Sequence, residues 1–416
     1  MAQKQLSVRL YGNPIGILTQ GEAGKISFMY SPNADFAISH SLPLQTTPFE
    51  EKQCLPFFNG LLPENEETRK TLAAMFRISA TNDFSLLEAI GGDCAGALSF
   101  VPMETPITHQ EFLALDGTAL TEDEWLKYVQ TLPKRPLGNS PDNARRLSLA
   151  GAQDKTSVTL LNGEMLLPKS GTPSTHILKT PIAHIDYSVL NEFLCMNVAK
   201  KLGLEVAVCS MYTIKDMRVL LVKRYDRTLR DNKVKRLHQE DFCQALGVLS
   251  KNKYQAEGGP AFAMVFKLLF ITENPVIARL ELARRVMFNF LIGNNDAHAK
   301  NVSLLYKGVK PLLAPAYDVL STAIYPELTT KMAMSIGSSK ESEWVNAKDW
   351  HIFCKETEIS FPWFKAEFIR MAQVLPGHMQ NVISSTQLTQ KESAWANRLL
   401  DLCAKNTKEL IRRLEL

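Results

Sequence analysis

Gly293-Asn-Asn-Asp-Ala-His-Ala-Lys-Asn301 is the stretch of sequence from which the fold class of this chain follows most directly. A helix is predicted before it, with Asn274 as its cap, a proline at its first position and apolar residues at helical spacing. After it, residues 302–314 favour two short strands around a turn, and the second strand leads to Asp318. The order is therefore a helix, an aspartate, an asparagine five positions later, a hairpin and a second aspartate.

This order matches the groups that phosphoryl transfer from a nucleotide requires. One carboxylate must accept or orient the proton of the attacking hydroxyl, while a second carboxylate and an amide oxygen hold Mg²⁺ against the phosphates. Protein kinases place an aspartate, an asparagine and a second aspartate in the same order around a hairpin. We therefore predict Asp296 as the catalytic base, Asn301 and Asp318 as Mg²⁺ ligands, and ATP as the phosphate donor.

Three further residues of this region are predicted to contact the nucleotide: His298, Lys300 and Tyr317. Two of them have alternatives. The role favoured for His298 from its residue type alone is a histidine that is hydrogen-bonded within its own loop, and Lys300 fits either a phosphate contact or a solvated face. The spacing Asp-x-His-x-x-Asn is also similar to the catalytic loop of phosphatidylinositol kinases, so a lipid or small-molecule kinase is an alternative.

A kinase also needs a loop that covers the phosphates and a lysine that pairs with them. The segment Ala150-Gly151-Ala152-Gln153-Asp154-Lys155 has small residues that allow close backbone approach, although its single glycine distinguishes it from a Gly-x-Gly-x-x-Gly loop. Lys179 ends a predicted strand ahead of a helix that carries Glu192, an arrangement that positions the α- and β-phosphates. The run Lys223-Arg224-Tyr225 follows another strand, where a segment that contacts adenine is expected.

The composition is that of an ordinary globular protein, with 45% apolar and 22% charged residues and a formal charge of +4. Seven scattered cysteines without a Cys-x-x-Cys pair indicate reduced core residues rather than a zinc or redox site. The sequence predicts no signal peptide and no membrane-spanning run. We therefore expect a cytoplasmic location and no membrane partner.

Four regions are expected in an α+β protein with a two-lobed, kinase-like fold. Residues 1–105 are predicted to form a strand-rich module that includes a helix at residues 64–76, and residues 106–146 a connector. Residues 147–226 are predicted to form a β-containing nucleotide-binding lobe. Residues 227–416 are predicted to form a mainly α-helical catalytic lobe.

The chain resembles the HipA family of serine/threonine kinase toxins in a series of motifs that occur in order over most of its length. The matching stretches are Phe57-Phe-Asn-Gly-Leu-Leu-Pro-Glu64, Ile90-Gly-Gly-Asp-Cys-Ala-Gly-Ala97, Ser148-Leu-Ala-Gly-Ala-Gln-Asp-Lys-Thr156, Thr175-His-Ile-Leu-Lys179, Leu202-Gly-Leu204, Arg224-Tyr-Asp-Arg227, Arg236-Leu-His-Gln-Glu-Asp241, Gly258-Gly-Pro260, the Asp296–Asn301 loop and Tyr317-Asp318. Taken together these motifs are highly specific, whereas the last part of the chain is less distinctive.

The resemblance implies the toxin of a toxin–antitoxin module linked to persistence, which transfers the γ-phosphate of ATP to a serine or threonine of a protein. The implied target is related to translation, for example an aminoacyl-tRNA synthetase. The resemblance also implies that the chain becomes a phosphoprotein by autophosphorylation of Ser148, beside Arg145 and Arg146. That modification would disable ATP binding.

Partners are implied by the same resemblance. A HipB-like helix-turn-helix antitoxin dimer would neutralise the toxin and, together with it, repress transcription of their operon. The segment Lys340–Lys348 mixes charges of both signs, so contact with operator DNA is expected mainly through the antitoxin. An ATP-binding transcriptional corepressor, in which ATP serves as a switch, is the alternative from another functional class.

Overall fold

The computed structural model describes residues 3–107, 112–139, 146–150, 153–169 and 171–415. The chain divides into two compact units. The first unit contains residues 1–180, 212–251 and 304–307, and the second contains residues 181–211, 252–303 and 308–416. Helices and sheets both contribute, which confirms the predicted α+β class.

The first unit begins with a four-stranded antiparallel sheet and three helices. The elements are β1 (Lys4–Leu10), β2 (Asn13–Gln20), β3 (Ile26–Tyr30), α1 (Glu51–Gly60), α2 (Glu66–Phe76), α3 (Asp83–Ile90) and β4 (Leu98–Pro102), with the strands in the order β3-β2-β1-β4. Of the three helices, only α2 was predicted from sequence. Helix α1 contains a proline, a residue that is disfavoured inside helices, and α3 is buried at most of its positions, so it lacks the one-sided apolar pattern of a surface helix.

Further strands, which form more than one sheet, and two helices follow in the first unit. The elements are β5 (Leu113–Ala114), β6 (Gly117–Ala119), α4 (Glu122–Thr131), β7 (Lys155–Leu161), β8 (Glu164–Pro168) and β9 (His176–Lys179). After α5 (Ser188–Lys201) of the second unit come β10 (Cys209–Ile214), β11 (Met217–Lys223), β12 (Arg227–Arg230), β13 (Lys233–Arg236), β14 (His238–Asp241) and α6 (Phe242–Ala245). Strands β11, β9, β7, β8 and β6 are neighbours in that order and pair antiparallel.

The second unit is mainly helical. The remaining elements of the chain are α7 (Phe262–Leu268), α8 (Pro275–Ile292), β15 (Ser303–Tyr306), β16 (Leu312–Leu313), β17 (Lys331–Ile336), β18 (Ser339–Glu341), α9 (Ala347–Glu356), α10 (Phe361–Ser385) and α11 (Gln390–Glu415). Of these, β15 belongs mostly to the first unit. Helix α10 packs against α5, α8 and α11. Trp350 forms the centre of an aromatic cluster with Phe290, Phe353, Phe364 and Phe368. These edge-on and tilted ring contacts fix α8 against α9 and α10.

A buried carboxyl group in the first unit has an unusual environment. Glu240 is fully buried and accepts hydrogen bonds from the hydroxyls of Ser39 and Tyr306, each at 2.5 Å, and from the backbone N–H of His40 at 3.0 Å. Burial raises the pKa of Glu240 to about 7, against the opposite effect of these donors. The folded protein therefore binds a proton here at pH values where the unfolded chain has released it.

We expect Glu240→Gln to remove a pH dependence of stability. Between the ordinary pKa of 4.5 and the raised pKa of about 7, only the folded state holds the proton, so the free energy of unfolding falls as pH rises. The loss across this window is about 3 kcal/mol. His176 and His238, whose pKa values burial lowers to about 4, give the opposite slope, but they are present in both proteins and cancel in the comparison.

Urea denaturation of the wild type and of Glu240→Gln at pH 5, 6, 7 and 8 measures this difference. The advantage of the wild type over the variant should shrink with rising pH. The exposed carboxylate of Glu164 provides the matched control, because Glu164→Gln should leave the pH dependence of the wild type unchanged. Parallel pH profiles for the wild type and Glu240→Gln would contradict the raised pKa.

Candidate active site

The predicted catalytic loop begins where α8 ends. The helix begins at Pro275, as predicted, and its cap residue Gly293 has a φ of +69°, the left-handed region that favours glycine. A Cβ at this position would lie only 2.7 Å from the Cβ of Ala323. Glycine is therefore required both by the backbone turn and by close packing, and this turn directs residues 294–301 away from the helix axis.

Hydrogen bonds to one carbonyl group close the loop. The backbone carbonyl of Asp296 accepts from the N–H of His298 at 2.8 Å and from the side-chain amide nitrogen of Asn301 at 3.2 Å. Because the amide nitrogen of Asn301 is used in this way, its amide oxygen is the atom that can coordinate a cation. The side chain of Asp296 is 47% exposed, so its carboxylate is accessible to a substrate.

The segment around Asp318 is held against this loop. The hydroxyl of Tyr317 lies 2.6 Å from the hydroxyl of Ser303 and donates to the carbonyl of Lys300 at 2.7 Å. Asp318 itself has a φ of +53°, a conformation that aspartate and asparagine tolerate better than most side chains. The contacts of Tyr317 thus join the Asp318 segment to the predicted catalytic loop.

The two predicted Mg²⁺ ligands line the same cavity of the second unit. Its wall includes Asn301 and Asp318 together with polar residues of the loop and apolar residues of α7, α8 and β17: Asn294, Asn295, His298, Tyr317, Phe262, Val286, Phe288, Met334 and Ile336. One carboxylate and one amide oxygen are hard ligands, which suit Mg²⁺ when phosphate oxygens complete the coordination. The donor set of this cavity therefore fits the predicted ion.

The other predicted residues of the loop are buried. His298 is 4% exposed, and its Nε2 lies 4.0 Å from Oδ2 of Asp296. Lys300 is 5% exposed. A tyrosine that the sequence analysis missed, Tyr254, donates a hydrogen bond from its hydroxyl to Oδ1 of Asp296 at 2.8 Å. No sequence signal links these two residues, which are 42 positions apart.

In the first unit, two predicted phosphate ligands lie side by side. Lys155 on β7 and Lys179 on β9 are directly opposite residues of neighbouring antiparallel strands, so both side chains leave the sheet on the same face. The ammonium group of Lys155 donates to the carbonyl of Ala150 at 2.6 Å, and the amide of Gln153 donates to the carbonyl of Thr180 at 2.6 Å. These contacts hold both ends of the predicted phosphate loop, while Gly151 and Ala152 lie outside the described residues.

Asp154 and Ser148 flank this loop. The backbone carbonyl of Asp154 accepts from the N–H of Thr180 at 3.2 Å, and burial raises the pKa of the Asp154 carboxyl. Ser148 is fully buried, and its hydroxyl donates to the carbonyl of Leu61 at 2.6 Å. Arg146 donates to the carbonyls of residues 87, 88, 89 and 100, and Arg145 lies outside the described residues.

The guanidinium group of Arg224 belongs to a buried ion-pair cluster. It lies 2.8 Å from Asp226, which also pairs with Arg227 at 2.9 Å, while Asp93 pairs with Arg227 at 3.0 Å and with Arg236 at 3.2 Å. Burial opposes ionisation of Asp226, but Arg224 and Arg227 outweigh it and hold the pKa of Asp226 well below its usual range. This cluster therefore engages the side chain of Arg224 within the first unit.

The two neighbours of Arg224 differ from it in their surroundings. Lys223 at the end of β11 is exposed. The hydroxyl of Tyr225 donates to the side-chain oxygen of Gln239. The predicted contact of residues 223–225 with adenine would therefore involve the backbone of Arg224 rather than its guanidinium group.

Two family models and several known proteins match this chain. The model of the HipA N-terminal domain matches residues 6–101, and that of the HipA-like C-terminal domain matches residues 147–386. The protein Y4mE of Sinorhizobium fredii is 39% identical over 416 residues, covering 98% of this chain and 99% of that protein. The serine/threonine-protein kinase toxin HipA of Shewanella oneidensis is 29% identical over 363 residues, covering 84% of this chain and 81% of that protein.

A solved structure agrees with these matches. The chain superposes with a TM-score of 0.86 and 26% identity on a structure from the Shewanella oneidensis complex of HipA, HipB and operator DNA, covering 99% of this chain and 98% of that one. Among the described residues, no helix is long and apolar enough to cross a membrane. The family models cover more than half of the chain, and the fold agrees over nearly all of it, so this chain belongs to the HipA family and shares its enzyme class, that of serine/threonine-protein kinases.

Proposed function

We propose that this chain is a protein kinase toxin that transfers the γ-phosphate of ATP to a serine or threonine hydroxyl of a protein. The observation that carries the proposal is the loop of α8, where the exposed carboxylate of Asp296 lies five positions before Asn301, and Asn301 shares a cavity with Asp318. Asp296 takes the proton of the attacking hydroxyl. A new bond forms between that oxygen and the γ-phosphorus, and the bond to the leaving ADP breaks.

Asn301 and Asp318 are proposed to hold Mg²⁺ through one amide oxygen and one carboxylate. The bound ion would neutralise charge on the phosphates as the phosphoryl group moves. The carbonyl-bound amide of Asn301 supports this role, because it fixes the orientation of this ligand before the ion arrives. A ligand that is already oriented loses little conformational entropy when the ion binds.

Nucleotide phosphates are proposed to bind the pair of lysines in the first unit. The two lysines occupy directly opposite positions of neighbouring antiparallel strands, so their side chains lie on the same face of the sheet. We propose that ATP phosphates bind the ammonium groups of Lys155 and Lys179 and that the segment of residues 150–155 is the phosphate-covering loop. Lys179 is the residue proposed to pair with the α- and β-phosphates.

Ser148 is proposed as the site at which autophosphorylation disables the protein. Its hydroxyl is fully buried and already bonded to a backbone carbonyl. A phosphate with a charge near −2 is strongly disfavoured in such a position, because burial of an unpaired charge is unfavourable by several kcal/mol. Modification would therefore expel residues 148–155 from their place, and the loop that covers the phosphates would be lost.

A HipB-like antitoxin dimer is the proposed protein partner, and operator DNA is proposed to be bound mainly through it. The similarity to a HipA chain solved with HipB and operator DNA supports this assignment. The proposed target of the toxin activity is a protein of translation, for example an aminoacyl-tRNA synthetase.

Incubation with Mg²⁺ and ATP, followed by mass spectrometry, tests the kinase and its off-switch together. We expect a single phosphate on the peptide that contains Ser148, and no phosphate when the same experiment uses Asp296→Ala. Expression of the wild type should arrest growth, and expression of Asp296→Ala should not. A protein that carries no phosphate anywhere, or growth arrest that persists in Asp296→Ala, would exclude the proposed kinase toxin.

A further inference from the structure

The hydroxyl of Tyr254 contacts the proposed catalytic base directly. It donates a hydrogen bond to Oδ1 of Asp296 at 2.8 Å. The other carboxylate oxygen, Oδ2, lies 4.0 Å from Nε2 of His298, a separation too long for a hydrogen bond. Oδ2 is therefore the oxygen that can accept a hydrogen bond from a substrate hydroxyl while Tyr254 holds Oδ1.

The backbone of Tyr254 is fixed in a tight turn. Its carbonyl oxygen accepts from the N–H of Glu257 at 2.9 Å and from the N–H of Gly259 at 3.0 Å. A Cβ at Gly259 would overlap the carbonyl oxygens of Asn252 and Tyr254, and Gly258 has a φ of +85°. The two glycines thus allow the turn to close directly behind the tyrosine.

The neighbours of Tyr254 anchor the turn to the rest of the second unit. The side-chain oxygen of Gln255 accepts from the backbone N–H of Ser335 on β17 at 2.7 Å. The tyrosine ring packs edge-on against His298, with ring centroids 5.5 Å apart. The backbone of Tyr254, the side chain of Gln255 and the ring of Tyr254 are therefore all held in place. As a consequence, the Tyr254 hydroxyl approaches Asp296 from a fixed direction.

We propose that Tyr254 is a positioning residue of the phosphoryl-transfer reaction. It fixes the carboxylate of Asp296 so that Oδ2 faces the hydroxyl of the acceptor protein. A carboxylate on a half-exposed side chain otherwise rotates about its terminal bond, and a single donor on one oxygen restricts that rotation. The inference rests on the proposed role of Asp296 as the base.

A different role would be that the Tyr254 hydroxyl occupies the place of the substrate hydroxyl and must leave before each turnover. This role predicts the opposite change in activity when the Tyr254 hydroxyl is removed. Loss of the hydroxyl would then raise activity, because the place would be vacant from the start. The anchored turn at residues 254–259 favours a fixed residue over a movable one. The two roles are therefore separable by the sign of a single kinetic effect.

The test is Tyr254→Phe in the full-length protein, which removes one oxygen and keeps the ring against His298. Steady-state kinetics with ATP and a serine-containing protein acceptor should show kcat lowered by roughly 10- to 100-fold, as for loss of a hydrogen bond to a charged group. The KM for ATP and the melting temperature should stay those of the wild type. A merely structural tyrosine would instead lower the melting temperature and leave kcat of the folded fraction unchanged.

Two further variants serve as controls for the effect of Tyr254→Phe on kcat. Tyr212→Phe removes the hydroxyl of a tyrosine that is 47% exposed and should leave kcat unchanged. Asp296→Ala reports on the base itself. If Asp296→Ala is inactive while Tyr254→Phe keeps or exceeds the wild-type kcat, the positioning role is wrong and the proposed function stands. If Asp296→Ala keeps its activity, the proposed function fails, and the role of Tyr254 fails with it.

Discussion

Asp296→Asn is expected to lower kcat for phosphoryl transfer by on the order of 10³-fold, because an amide cannot accept the proton of the attacking hydroxyl. The loop should survive the substitution. Its closing hydrogen bonds from His298 and Asn301 go to the backbone carbonyl of residue 296, and asparagine keeps that carbonyl. The affinity for Mg-ATP should therefore remain that of the wild type.

Kinetics of transfer, together with calorimetric titration by Mg-ATP in the absence of acceptor, separate the two effects. Asp401→Asn on α11 is the matched control, since it makes the same chemical change at an exposed aspartate of the same unit and should leave both measurements unchanged. A variant that transfers phosphate at the wild-type rate would remove Asp296 from the role of base. A variant that loses Mg-ATP affinity instead would place Asp296 among the nucleotide ligands.

The parts of this site that are local in sequence were predictable. A helix that begins at Pro275 and ends at Gly293 follows from apolar periodicity and two residues with strong backbone preferences, and the structure confirms its bounds. The hairpin after it was also predicted, and its strands are β15 and β16. Each of these features depends on a few consecutive residues, so a single sequence contains the information that specifies them.

Contacts between distant segments were not predictable in the same way. Tyr254 contacts Asp296 across 42 positions of the chain, and the turn at Gly258 and Gly259 that follows Tyr254 indicates no partner. The ion pairs of Asp93 similarly join residues more than a hundred positions apart. Arg224 was predicted as a nucleotide contact because it follows a strand. The sequence did not indicate that its guanidinium group lies in the buried ion-pair cluster.

Asp318→Asn is expected to reduce kinase activity by on the order of 10³-fold for a different reason, namely the loss of a negatively charged metal ligand worth several kcal/mol. Asparagine is the suitable replacement, because it tolerates the left-handed backbone at φ of +53° nearly as well as aspartate does. The contacts of Tyr317 with Ser303 and Lys300 involve the preceding residue and should persist. The variant should therefore fold normally.

The two aspartate variants should differ in how nucleotide binding responds to Mg²⁺. For Asp296→Asn, adding Mg²⁺ should strengthen ATP binding as in the wild type, whereas for Asp318→Asn the ion should give little or no strengthening. Titration with ATP at several Mg²⁺ concentrations measures this difference, and the melting temperature reports whether the fold is intact. Equal responses to Mg²⁺ in the two variants would contradict the separate roles of base and metal ligand. A response lost only in Asp318→Asn requires that the cavity lined by Asn301 and Asp318 holds the ion, and that Asp296 acts on the acceptor hydroxyl alone.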